Sequence, residues 1–115
     1  MEFQIDEKGA CEVIRMEGRL DLAGAEDAEV FFNEFRAKPM KGRQLIVSFR
    51  EVPYISSSGL RVLVAALNDI QQHGGTMVLC GMNVAVEEVF QFAGLDTVFR
   101  IYREEDEAYT ELAKS

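Results

Sequence analysis

Leu45-Ile46-Val47-Ser48-Phe49 and, a few residues on, Ser56-Ser57-Ser58-Gly59-Leu60 are the two stretches that decide the fold. The first is short, β-favouring and almost continuously apolar, which suits a strand buried on both faces. From the second onward, Leu60, Leu63, Val64, Leu67 and Ile70 recur at helical spacing. That stripe faces a core and leaves Arg61, Asn68, Asp69, Gln71 and Gln72 toward water. The serines therefore sit where a strand gives way to a helix. First-turn amides lack partners within a helix and the peptide dipoles make that end partly positive, so it accepts a hydroxyl cap and tolerates a phosphate.

Working outward, Phe3 and Ile5 alternate with Glu2, Gln4 and Asp6, and the turn-forming run Asp6-Glu7-Lys8-Gly9 precedes a second strand from Cys11 to Met16. This is an opening hairpin. After Gly18-Arg19-Leu20-Asp21 comes a helix with the stripe Ala28, Phe31, Phe32, Phe35, with Asp21 as its cap and Pro39 at its end. The serine-headed helix runs to about His73, where Gly74-Gly75 stops it. Thr76 to Cys80 is the next strand. Asn83 caps a helix carrying Val86, Val89, Phe90 and Ala93, which Gly94-Leu95 ends, and Val98 to Tyr102 forms a last strand. A terminal helix begins in the acidic run Glu104 to Glu107 and packs through Ala108 and Leu112. The order β-β-α-β-α-β-α-β-α calls for one α/β domain over residues 1–115, with a mixed sheet of about five strands: an antiparallel opening hairpin, then parallel strands joined by right-handed helical crossovers.

At 115 residues, 48% of them hydrophobic, the chain is sized for a single core. Its net charge of -8 opposes direct binding to nucleic acid, which needs clustered Lys and Arg. No apolar run is long enough for a membrane span and no secretion leader is visible, so a cytoplasmic location is expected. Cys11 and Cys80 show no metal-ligand spacing and read as reduced core thiols.

Ser57, His73 and Asp21 are the residue types of an acyl-transfer triad, but the geometry rejects it. Ser57 and His73 at opposite ends of one helix are separated by about 24 Å at 1.5 Å per residue, against the roughly 3 Å that proton transfer needs. His73 reads instead as a helix C-terminal residue favoured by the dipole. No phosphate-binding loop, dinucleotide fingerprint or metal cluster is present, so no cofactor is expected and the chain is not read as an enzyme. The acidic side chains Glu26, Asp27, Glu29, Glu34 and Glu104 to Glu107 read as solvated helix surface. The loops after three strand ends, carrying Asp21 and Leu22, Ser56 to Arg61, and Gly81 and Met82, form one surface if those strands are parallel, and in open sheets partners meet that end.

Three segments carry a resemblance that spans nearly the whole chain. Ser56-Ser57-Ser58-Gly59-Leu60 is similar to the Asp-Ser-Ser/Thr/Ala-Gly-Leu signature of the STAS domain family, specifically its bacterial anti-sigma factor antagonists. Gly18-Arg19-Leu20-Asp21 resembles the family's Gly-x-Leu-Asp, and Phe90-Gln91-Phe92-Ala93-Gly94-Leu95 its Phe-x-x-x-Gly-Leu. The resemblance implies partner switching. The unphosphorylated antagonist binds an anti-sigma factor that is also a serine kinase and so frees a sigma factor; phosphorylation breaks that complex, and a PP2C-type phosphatase restores it. It also implies Ser57 as the phosphoacceptor, with Ser56 and Ser58 as alternatives, because Ser56 stands where the family has aspartate. The partner-binding residues implied are Asp21, Leu22, Ser56, Ser57, Ser58, Gly59, Leu60, Arg61, Gly81 and Met82. The alternative is a STAS subunit of a stressosome-like or lipid-transport complex without sigma factor control.

Overall fold

The opening strands β1 (Glu2–Lys8) and β2 (Cys11–Glu17) pair antiparallel in full register, from Glu2 opposite Glu17 to Lys8 opposite Cys11. Gly9, at φ 60°, supplies the positive φ that tight hairpin turns need. The chain, a computed structural model that describes residues 1–36 and 42–114, continues as α1 (Leu22–Arg36), β3 (Gln44–Glu51), α2 (Ser57–Gln72), β4 (Thr76–Cys80) and α3 (Val84–Phe92). A 3-10 turn (Leu95–Thr97), β5 (Ile101–Tyr102) and α4 (Glu105–Ala113) complete it. The expected helix stop at Pro39 lies outside the described residues.

The sheet order is β1-β2-β3-β4-β5, with every pair after the first parallel. All three crossovers thus step the same way across the sheet, and a right-handed connection then puts α1, α2 and α3 on one face. The core bears this out. Ile14, Met16, Leu45, Val47, Phe49, Met77 and Leu79 pack with Phe32 and Phe35 of α1, Leu63, Leu67 and Ile70 of α2, and Val86 and Phe90 of α3. On the other face Cys11, Val13, Ile46, Val78 and Cys80 meet Ala108 and Leu112 of α4. Strand β3 is accordingly buried from Leu45 to Phe49.

Several expectations need adjustment. The last strand covers only Ile101 and Tyr102, because Gly94 turns left-handed (φ 72°) and the amides of Val98 and Phe99 both bond back to the Leu95 carbonyl, holding the backbone helical. The acidic run is not all solvated surface: Arg15 grips the Glu105 carboxylate with two nitrogens at 3.1 and 2.9 Å, and Lys8 reaches Asp106 at 2.9 Å. These pairs fasten α4 to the hairpin. Asp69, expected to face water, pairs with Arg36 and ties α2 to α1. Both cysteines are free and buried, and burial pushes the Cys80 thiol up to about 11.

Candidate functional site: the serine loop and its neighbours

Beyond the end of the regular ladder, the tails of β2 and β3 stay joined. Gly18 N bonds Glu51 O at 3.0 Å, Leu20 N bonds Tyr54 O at 2.9 Å and Ser56 N bonds Leu20 O at 2.9 Å, with Leu20 and Ile55 forming an isolated parallel bridge. This pairing brings the loop after β2 against the loop before α2. Asp21 caps α1, its Oδ1 accepting from Gly24 N at 2.9 Å. The guanidinium of Arg19 stacks on the Tyr54 ring at 4.5 Å and lies 3.7 Å from the Asp21 carboxylate. Asn83 donates from Nδ2 to Pro53 O at 3.3 Å, which draws the start of α3 to the same end.

Each serine has a different environment. Ser56 is the N-cap of α2: its Oγ accepts from Gly59 N at 3.3 Å and donates to Leu20 O at 3.1 Å, so the hydroxyl is in use in both directions. Ser57, the first helical residue, is exposed, and its Oγ has no hydrogen-bond partner among the described residues. Ser58 is half-buried and turns into a shallow groove between α1 and α2 with Leu22, Glu26 and Glu29. Gly59 and Leu60 are buried. A Cβ on Gly59 would lie 2.7 Å from Leu20 Cγ and 3.0 Å from both Ile55 Cγ1 and Leu20 O, so glycine permits the close approach of α2 to the β2 tail.

Ser57 opens instead onto a groove of about 550 Å³ lined by Leu60, Arg61, Val64, Asn68, Ala93 and Leu95. The sequence reading missed most of this wall. Helical spacing puts Val64 and Ala93 on core-facing stripes, yet Val64 is half-buried and Ala93 exposed; both line the groove where the end of α3 comes beside α2. Leu22 and Phe92 are also exposed, Phe92 to 92%.

Gly81 and Met82 are not among the residues that line the groove beside Ser57. Met82 is half-buried against the main core. Gly81, at φ 77°, runs beside the Arg50 backbone and lines a cavity of about 540 Å³ on the α4 side of the sheet, with Arg15, Ser48, Cys80 and Arg103. The loop after β4 therefore adjoins the serine loop through Asn83 rather than through Gly81. At the far end of α2, His73 Nδ1 lies 2.8 Å from Asp69 O, in the helix-terminal role read from sequence. Among the described residues no group of three or more His, Cys, Asp or Glu side chains is placed to hold a metal ion, and no helix is long and apolar enough to cross a membrane.

Comparison with known proteins converges on one family. BtrV of Bordetella bronchiseptica, whose name presents it as a candidate anti-sigma factor antagonist, is 30% identical over 102 residues, 88% of this chain and 85% of its own. The anti-sigma F factor antagonist of Paenibacillus polymyxa is 25% identical over 97% of this chain and 95% of its own. Among solved structures, a Planctomyces limnophilus anti-sigma factor antagonist domain protein superposes with a TM-score of 0.82 at 21% identity, covering 96% of this chain and 97% of that one. The antagonist SpoIIAA in its unphosphorylated form gives 0.77 at 24% identity over 99% and 98%. The Bacillus SpoIIAA has also been solved phosphorylated, at a TM-score of 0.69 and 23% identity over 96% and 99%. The STAS domain profile matches residues 2–108, and with the strand order, the capped serine loop and these relatives in agreement, the chain belongs to the STAS domain family.

Proposed function

We propose that this protein is an anti-sigma factor antagonist that works by partner switching, and that Ser57 is its switch. The observation that carries the reading is the division of labour between adjacent serines. Ser56 is held by Leu20 and Gly59, whereas Ser57, exposed at the first position of α2, has a hydroxyl with no hydrogen-bond partner among the described residues. In the unphosphorylated state the serine loop and the groove beside it dock an anti-sigma factor with serine kinase activity, which releases a sigma factor. The kinase then moves the γ-phosphoryl group of ATP onto Ser57 Oγ, which gives up its proton as ADP leaves. A PP2C-type phosphatase restores the hydroxyl by hydrolysis, water attacking the phosphorus and inorganic phosphate leaving. Relatives named as antagonists, one of them solved in phosphorylated and unphosphorylated forms, support this reading.

The physics of the switch is local. Phosphate adds about -1.5 to -2 charges and three strong acceptors where the interface would otherwise bury one small hydroxyl. A penalty of about 3–4 kcal/mol for desolvating or repelling that dianion weakens binding several hundred-fold. The test is affinity purification from the native cell, followed by incubation of the recovered kinase with the chain and ATP. The reading expects one added phosphate by intact mass, located at Ser57 and absent from Ser57→Ala, and weaker kinase binding by Ser57→Asp with unchanged thermal stability. Equal kinase affinity of the two forms would end it. Recovery of transporter subunits with no phosphate would favour a structural role in a transport complex.

A further inference from the structure

Arg61 lies one turn beyond Ser57 on α2, and the two line the same groove. Positions four apart on a helix face one another, with about 6 Å between their Cβ atoms. Six of the ten Lys and Arg among the described residues make ion pairs: Lys8 and Arg15 with α4, Arg19 with Asp21, Arg36 with Asp69, Arg43 with Glu12 and Lys114 with Glu111. Of the remaining four, Arg61 is the one that lines the groove with Ser57. Arg61 is exposed and makes no ion pair among the described residues. Glu26 and Glu29 of α1 line the neighbouring groove with it but make no ion pair to it.

We propose that Arg61 is a phosphate clamp: once Ser57 is phosphorylated, the Arg61 guanidinium swings along the groove and holds the phosphate in a charge-assisted pair. The inference rests on Ser57 as the modified residue. The guanidinium fork matches two phosphate oxygens, and the partner lies on the same helix, so the pair forms without moving the backbone. Clamping has two consequences. The phosphate is drawn over the apolar wall formed by Leu60, Val64 and Leu95, which removes that wall from any partner. Arg61, free for a partner in the unphosphorylated form, is withdrawn at the same time. One modification thus alters two features of the docking surface.

The test uses full-length chain with phosphoserine installed at position 57 during translation, which makes it independent of any kinase. The second ionisation of the phosphate is followed by phosphorus NMR across pH 4.5 to 8 in wild type, Arg61→Gln and Arg61→Lys. The clamp expects the wild-type value to lie about half a unit below that of Arg61→Gln, roughly a threefold change in proton affinity, with Arg61→Lys between them and the gap closing in 1 M salt. Unphosphorylated wild type and Arg61→Gln should melt alike, since Arg61 makes no ion pair or hydrogen bond among the described residues. Coincident titration curves for wild type and Arg61→Gln would overturn the clamp while leaving Ser57 as the switch. Failure of the kinase to label Ser57 would instead overturn the switch and leave the NMR result standing as a property of the installed phosphate.

Discussion

Replacing Gly59 with alanine puts a methyl group where α2 passes the tail of β2. Built on the existing backbone, that methyl would sit 2.7 Å from Leu20 Cγ and 3.0 Å from Ile55 Cγ1 and from the Leu20 carbonyl oxygen. None of these neighbours yields freely. Both side chains are buried, and the Leu20 oxygen is the acceptor for both Ser56 N and Ser56 Oγ. Overpacking of this kind costs about 1–3 kcal/mol, while the helix preference of alanine over glycine offsets at most about 1 kcal/mol. The net expectation is a loss of about 1–2 kcal/mol, seen as a lower midpoint in urea at unchanged m-value and a melting temperature about 4–8 °C below wild type. Asn68→Ala is the companion variant: it is exposed on the same helix and should gain a few tenths of a kcal/mol or none. If Gly59→Ala matched or exceeded wild type, close approach to Leu20 would not be what fixes the start of α2.

Further outcomes follow from the same contacts. Ser56→Ala removes the cap of α2 and one of the bonds to Leu20 O, and should cost about 1–2 kcal/mol by urea denaturation. The thiols of Cys11 and Cys80, buried and with raised pKa, should resist dithionitrobenzoate at pH 8 until the protein is unfolded. Because the unfolded Cys80 thiol ionises near 9 and the folded one near 11, the unfolded state loses its proton first. Stability should therefore fall as pH rises through that interval, and Cys80→Ser should flatten the decline. Asp106 is held below the usual carboxylate range by its hydrogen bond to Lys8. Its contribution is present above the unfolded pKa of about 4 and lost as pH falls through the lower folded value, so Asp106→Asn should lessen acid sensitivity in the amide exchange of α4.

Local patterning carried the fold because each element announces itself through a period that packing then honours. The stripe Leu60, Leu63, Leu67, Ile70 is buried as its spacing requires, and Asn83 and Ser56 act as the caps that their positions suggest. What local pattern could not give is pairing between distant residues. Nothing in the run Glu104 to Glu107 says that Glu105 will meet Arg15 of β2 on the face of the sheet that α4 covers, and nothing at Asp69 names Arg36. The same limit holds at the site. The motif points to the serines, but the separation of Ser56 from Ser57 depends on Leu20, a residue thirty-six positions away from Ser56. Ala93 shows the converse error: helical spacing assigned it to the core, whereas the end of α3 lifts it onto the groove beside Ser57.

The division between adjacent hydroxyls decides how a covalent change at this loop can act. A phosphate on Ser56 would remove the donor to Leu20 O and crowd the cap of α2, so it would loosen the joint between the β2 and β3 tails. A phosphate on Ser57 removes no bond that the fold uses, because that oxygen has none among the described residues. The amides of Ser57 and Ser58, which have no acceptor among the described residues, and the positive helix end even favour the added charge. The modification proposed at Ser57 would therefore change the surface around the loop without breaking a hydrogen bond that the fold uses, whereas the same group on Ser56 would break one.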